Sequence, residues 1–92
     1  MAPPTLAELR SRLEAIDTEC VSLLRRRMEL AREVGAHKRA HGLATLDARR
    51  EARVVAEAAR RGRDAGLPEE EVRQIFWQVV AMSRRAQQEE QP

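Results

Sequence analysis

Aromatic residues are almost missing from this 92-residue chain: tyrosine is absent, and Phe76 and Trp77 are the only phenylalanine and tryptophan. Basic residues with no aromatics between them lack the stacking platforms that hold single-stranded nucleic acid. Cys20 is the only cysteine, which excludes an intrachain disulfide framework. Its place on an apolar helical stripe reads as a small buried hydrophobe. Neither sign of charge dominates: 17 Lys and Arg stand against 15 Asp and Glu, a net charge of +2. No nucleic-acid partner is therefore expected. No apolar run approaches the roughly 20 residues of a membrane span, and no signal-peptide core is visible. The expectation is a cytoplasmic protein with no membrane partner. A glycine-rich phosphate loop and a nucleophile–base pair are also missing. His37 and His41 lie four apart, but no third ligand follows at suitable spacing, so they read as solvated histidines. No metal and no cofactor are expected.

What the chain does have is helical periodicity. Apolar residues make up 42% and charged residues 35%, the profile of amphipathic helices. Leu6, Leu9, Leu13, Ile16, Cys20, Leu23, Leu30 and Val34 recur at the spacing of one helix face. Thr5 and Glu8 have the spacing of a capping box at its start, and Gly42 suits the left-handed position that ends a helix. The first helix is then roughly 36 residues, about 54 Å at 1.5 Å per residue. Gly35 is its weak spot, costing about 1 kcal/mol relative to alanine. Asp47 is a good N-cap for a second helix running to about Asp64. After the break at Ala65–Pro68, Glu69, Glu70 and Glu71 suit the start of a third, which runs to about Gln88. The fold class is all-α: one helical domain over 1–92, with 1–4 and 89–92 as frayed tails. One long helix followed by two of half its length leaves part of the long stripe uncovered. An intertwined homodimer would cover it.

The apolar faces carry polar residues. Arg27 occupies the slot after Leu23 and Lys38 the slot after Val34, both near the middle of the stripe. Ser83 falls near the middle of the third helix's stripe of Val72, Ile75, Phe76, Val79 and Met82, and Gln87 follows one turn later. On the second helix, Asp47 and Glu51 share a face with Val54 and Ala58, and Arg50 lies at its edge. Arg10 flanks the first stripe. A buried cation needs an anion. Two readings are open: Arg27 and Lys38 pair internally with Glu51 and Asp47, or the set binds a small anionic ligand with ether or hydroxyl oxygens. Arg25, Arg26, Arg84 and Arg85 read as solvated, and Trp77 as a helix or subunit contact.

In order and spacing, these residues resemble the all-helical (AroQ-type) chorismate mutases. The resemblance runs over Leu9-Arg10, Ile16-Asp17, Leu23-Leu24 through Arg27, Glu29-Leu30-Ala31, Val34-Gly35, Lys38, Asp47 with Arg50-Glu51, Ile75-Phe76, and Ser83 through Gln87-Gln88. It implies a dimer with shared sites that needs no cofactor. Arg27 and Arg10 of the partner subunit would hold the two carboxylates of chorismate. Lys38 and Gln87 would act at the ether oxygen as catalytic residues. Asp47, Arg50, Glu51 and Ser83 would line the ring and its C4 substituent. The implied reaction is the Claisen rearrangement of chorismate to prephenate. The same fold also serves 4-amino-4-deoxychorismate mutases and isochorismate pyruvate lyases. A non-enzymatic helical regulatory dimer is a further alternative, but it would need no joint geometry among Arg27, Lys38 and Gln87. Ala44 and Leu46 in the linker, and Pro68 at the third helix start, depart from the family pattern. None of them touches the anion-binding set.

Overall fold

The computed structural model describes residues 2–89 and holds three helices there: α1 (Leu6–Ala40), α2 (Ala48–Asp64) and α3 (Glu69–Gln87). The ends follow the expected local chemistry. Thr5 Oγ1 accepts from the Glu8 amide at 3.1 Å, the first half of the capping box. At the other end of α1, Gly42 takes φ 66°, while Leu43 N–H donates to the Lys38 carbonyl at 2.8 Å. That six-to-one bond is a Schellman closure, and it spares the chain orphan carbonyls. Asp47 Oδ1 caps α2 by accepting from the Arg50 amide at 3.0 Å. Pro68 starts α3 with no side-chain cap, so the three glutamates of the first turn are what oppose the helix dipole.

α3 is the middle layer. One side packs on the C-terminal half of α1, where Met28, Ala31, Val79 and Ala86 form a buried cluster flanked by Leu24 and Phe76. The other side packs on α2, whose buried face is Val55, Ala58, Ala59 and Gly62. The expected α2 face through Val54 and Ala58 is corrected here: Val54 is half-buried, and the packed face is centred about one residue further on. Small side chains on that face let the two helices approach closely. On α3, Val80 belongs to the core, whereas Ile75 and Met82 lie to one side and are exposed. Trp77 is also exposed.

Among the described residues, the first half of α1 packs on no other part of the chain. Leu6, Leu13, Ile16, Val21 and Leu23 are all more than half exposed, and Cys20, expected in a core, is exposed as well. The radius of gyration is 17.1 Å, against about 12 Å for a compact globule of this length. The difference is the projecting helix. At the other terminus, Glu89 is not frayed. Its carboxylate meets Arg32 Nε at 2.6 Å, and its carbonyl accepts from Arg39 at 3.2 Å. The rest of that expected tail, 90–92, and Met1 of the N-terminal one lie outside the described residues. Among the described residues no helix is long and apolar enough to cross a membrane.

Candidate active site

The three helices diverge where α1 and α3 part from α2, and a cleft of about 510 Å³ opens between them. Its floor is apolar: Leu30, Ala31, Val34, Val54 and Val80. Seven of the eight residues expected at a site line it: Arg27 and Lys38 from α1, Asp47, Arg50 and Glu51 from the start of α2, and Ser83 and Gln87 from α3. Arg10, the eighth, does not. It lies on the projecting half of α1, about 26 Å along the helix from Arg27.

Arg27 and Lys38 do not pair with Glu51 and Asp47. Among the described residues no salt bridge involves Arg27, Lys38 or Arg50. Arg27 Nη1 instead donates to Ser83 Oγ, a neutral acceptor. Lys38 Nζ donates to the Thr45 carbonyl and to Gln87 Oε1, each at 2.9 Å. An ammonium has three donors, so one is left for the cleft. Because Lys38 can only donate, its bond fixes the Gln87 amide with the oxygen toward Lys38 and the NH₂ group turned away. That NH₂ group is left to donate elsewhere.

Gln87 is held at its backbone too. Its carbonyl accepts from Arg39 Nη1 at 2.6 Å, and α1 passes so close that a Cβ on Gly35 would lie 2.7 Å from the Gln87 Cα. The weak spot of the sequence reading is thus a requirement of packing: only glycine lets α1 approach the residue that faces the cleft. Sequence reasoning priced Gly35 by helix propensity, and its signal was a glycine on the packed face one turn before Lys38.

Arg84 also corrects the sequence reading, which placed it in solvent. Arg84 Nε and Nη2 bind Glu51 Oε2 and Oε1 at 2.9 and 2.7 Å, a fork on one carboxylate across α2 and α3. Hydrogen bonding from Arg84 holds the Glu51 carboxyl below its ordinary range, helped by the charges of Arg84 and Lys38 and opposed by burial and Asp47. The Arg84 guanidinium is pushed up by the same bond. Asp47 faces the cleft with one oxygen committed to the cap. His37 and His41 stack with ring centroids 4.2 Å apart, and among the described residues no cluster of three or more His, Cys, Asp or Glu could hold a metal.

An apolar floor, three cations without carboxylate partners and the spare donors of Lys38 and Gln87 suit a small, rigid, anionic molecule. Comparison with known proteins agrees with that chemistry. The family described as chorismate mutase type II matches over residues 9–88. A 4-amino-4-deoxychorismate mutase from Streptomyces pristinaespiralis is 30% identical over 88 residues, which cover 96% of this chain and 68% of that protein. Among solved structures, a conserved hypothetical protein from Pyrococcus furiosus superposes with a TM-score of 0.71 at 31% identity, over 95% of this chain and 100% of that one.

Proposed function

The chain belongs to the chorismate mutase type II family and is an isomerase of that kind; we propose that it rearranges chorismate to prephenate in a site completed by a second copy of the chain. The observation that carries the proposal is the bonding of Lys38 to Gln87 in the cleft that Arg27 also lines, with no carboxylate on either cation. In the Claisen rearrangement the ether C–O bond breaks as a new C–C bond forms, and the electrons move in one cycle. No proton shuttle is needed. Negative charge grows on the ether oxygen in the transition state. The free Lys38 donor and the Gln87 NH₂ group stabilise it there more than in the ground state. Arg27 takes one carboxylate of the substrate and, with the apolar floor, holds the reactive chair-like conformer. Ser83 and Arg50 border the ring, with Asp47 and Glu51 toward its C4 substituent.

Arg10 of the partner subunit takes the second carboxylate. An arginine side chain cannot bridge about 26 Å of helix to its own cleft, while the exposed leucines of the projecting half supply an apolar surface for association. The cleft is also open on one flank. It shares Arg27, Arg50 and Val54 with a second groove of about 640 Å³ along α2, so a wall is missing there. A mixture of Arg10→Ala and Arg27→Ala chains tests this. Random pairing rebuilds about a quarter of the parental sites, and activity recovers to that level. Verified heterodimers with no recovery would refute the shared site.

A second reading has one observation in its favour: the name of the Streptomyces relative, whose substrate carries an amine at C4. Asp47 and Glu51 could meet that ammonium. Parallel assays with chorismate, 4-amino-4-deoxychorismate and isochorismate, with products identified, decide between them. Prephenate from chorismate at the highest kcat/KM is the expected result. Pyruvate release from isochorismate as the dominant reaction would overturn it.

A further inference from the structure

Arg84 lies outside the cleft, yet it binds both oxygens of a carboxylate that lines it. We propose that Arg84 is a positioning residue that sets substrate preference: by holding Glu51 it neutralises the charge beside the C4 substituent and matches the site to a hydroxyl rather than an ammonium. The inference rests on the proposed pose of chorismate.

The charges around the cleft carry the argument. Arg27, Lys38 and Arg50 face Asp47 and Glu51. If Glu51 acted alone, it would put an uncompensated negative charge beside C4 in addition to that of Asp47. That suits a substrate with an ammonium beside its two carboxylates. With Arg84 forked onto Glu51 from behind, that charge is compensated and the site favours a neutral hydroxyl at C4. The pair is well placed for this. The Glu51 side chain is only 15% exposed, and the Arg84 side chain 37%, so solvent screens the carboxylate's partner more than the carboxylate itself. A forked guanidinium also fixes direction. Each Glu51 oxygen spends one lone pair on Arg84 and keeps another for a hydroxyl donor in the cleft.

The test is the ratio of kcat/KM for chorismate to that for 4-amino-4-deoxychorismate, measured in one protein at a time. The parent prefers chorismate. Arg84→Gln and Arg84→Met remove the charge at similar length, and a folded example of either carries the test. The ratio falls by about tenfold or more, the scale of one charge-assisted hydrogen bond. Arg84→Lys keeps a cation beside Glu51 and retains most of the preference. Adding Glu51→Gln to Arg84→Gln removes the uncompensated charge and moves the ratio back toward chorismate, which a loss of packing would not do. An unchanged ratio in folded Arg84→Gln, or no return in the double variant, overturns the role of Arg84 alone. A parent that turns over neither compound overturns the proposed activity and this inference with it.

Discussion

Gly35→Ala sets helix propensity against packing, and the geometry decides the outcome. In the middle of a helix, alanine is favoured over glycine by about 1 kcal/mol, so propensity alone forecasts a more stable protein. The added Cβ would lie 2.7 Å from both the Cα and the carbonyl carbon of Gln87 and nearer still to its carbonyl oxygen, whereas ordinary contact begins at 3.4 Å. Both partners are backbone, so no side chain can swing aside. α3 must retreat by more than about 0.7 Å or α1 must bend, and overpacking of this kind costs about 1–3 kcal/mol. The steric cost exceeds the propensity gain, and the variant melts below the parent at equal concentration. The effect on catalysis is larger. A retreat of that size or more stretches the Lys38–Gln87 bond from 2.9 Å to at least about 3.6 Å, beyond hydrogen-bonding range. It also releases the Gln87 amide from its fixed orientation. A misplacement near 1 Å costs on the order of 10²-fold in turnover. Thermal unfolding with steady-state assay of chorismate loss measures both. A Gly35→Ala protein that melts higher and keeps parental kcat would refute the close approach at Gln87.

Lys38→Ala loses about 10²–10³-fold in kcat, the cost of a donor used in the transition state. Arg25→Ala stays near parental, because Arg25 is exposed and meets only Glu29, at 3.7 Å; equal losses in the two folded variants would remove Lys38 from the mechanism. The Glu51–Arg84 pair predicts a pH dependence of stability. Arg84 lowers the Glu51 carboxyl in the folded chain, so its contribution is full above the unfolded carboxylate's range and is lost as pH falls through the depressed folded value. Denaturant midpoints measured down the acid limb fall less steeply for Arg84→Gln than for the parent, and parallel limbs would show that the pair contributes nothing.

Most of the helix boundaries were legible because they rest on local chemistry. Thr5, Gly42 and Asp47 do at each end what their side chain or its absence dictates. The polar set was legible for a different reason. Arg27, Lys38, Ser83 and Gln87 break an apolar rhythm, and periodicity makes such breaks visible. What stayed hidden depends on which helix lies opposite. The packed face of α2 differs from the expected one because alanines and Gly62 carry little hydropathic signal, while Val54, which carries more, faces the cleft. Arg84 looked solvated because nothing in its own helix marks it; its partner is on α2, 33 residues earlier. Arg27 and Lys38 were open to internal pairing until their neutral partners were in view.

The cleft exists because the apolar stripe of α1 is wider than the surface α3 offers it. Met28, Ala31 and Gly35 are covered by α3, while Leu30 and Val34, half a face away, remain 62% and 45% exposed and form the floor of the site. An uncovered apolar floor is unfavourable in water, and cations above it are unfavourable without anions. On the proposed function, a rigid dianion with an apolar ring relieves both at once, and ligand binding then finishes packing that folding leaves incomplete. The N-terminal half of α1 repeats the situation on a larger scale, with Leu6, Leu13 and Ile16 exposed and Arg10 at their edge. If a second chain covers that half, it brings Arg10 to an open cleft in the same step. Association and completion of the site are then one event, and activity falls with dilution as the dimer dissociates.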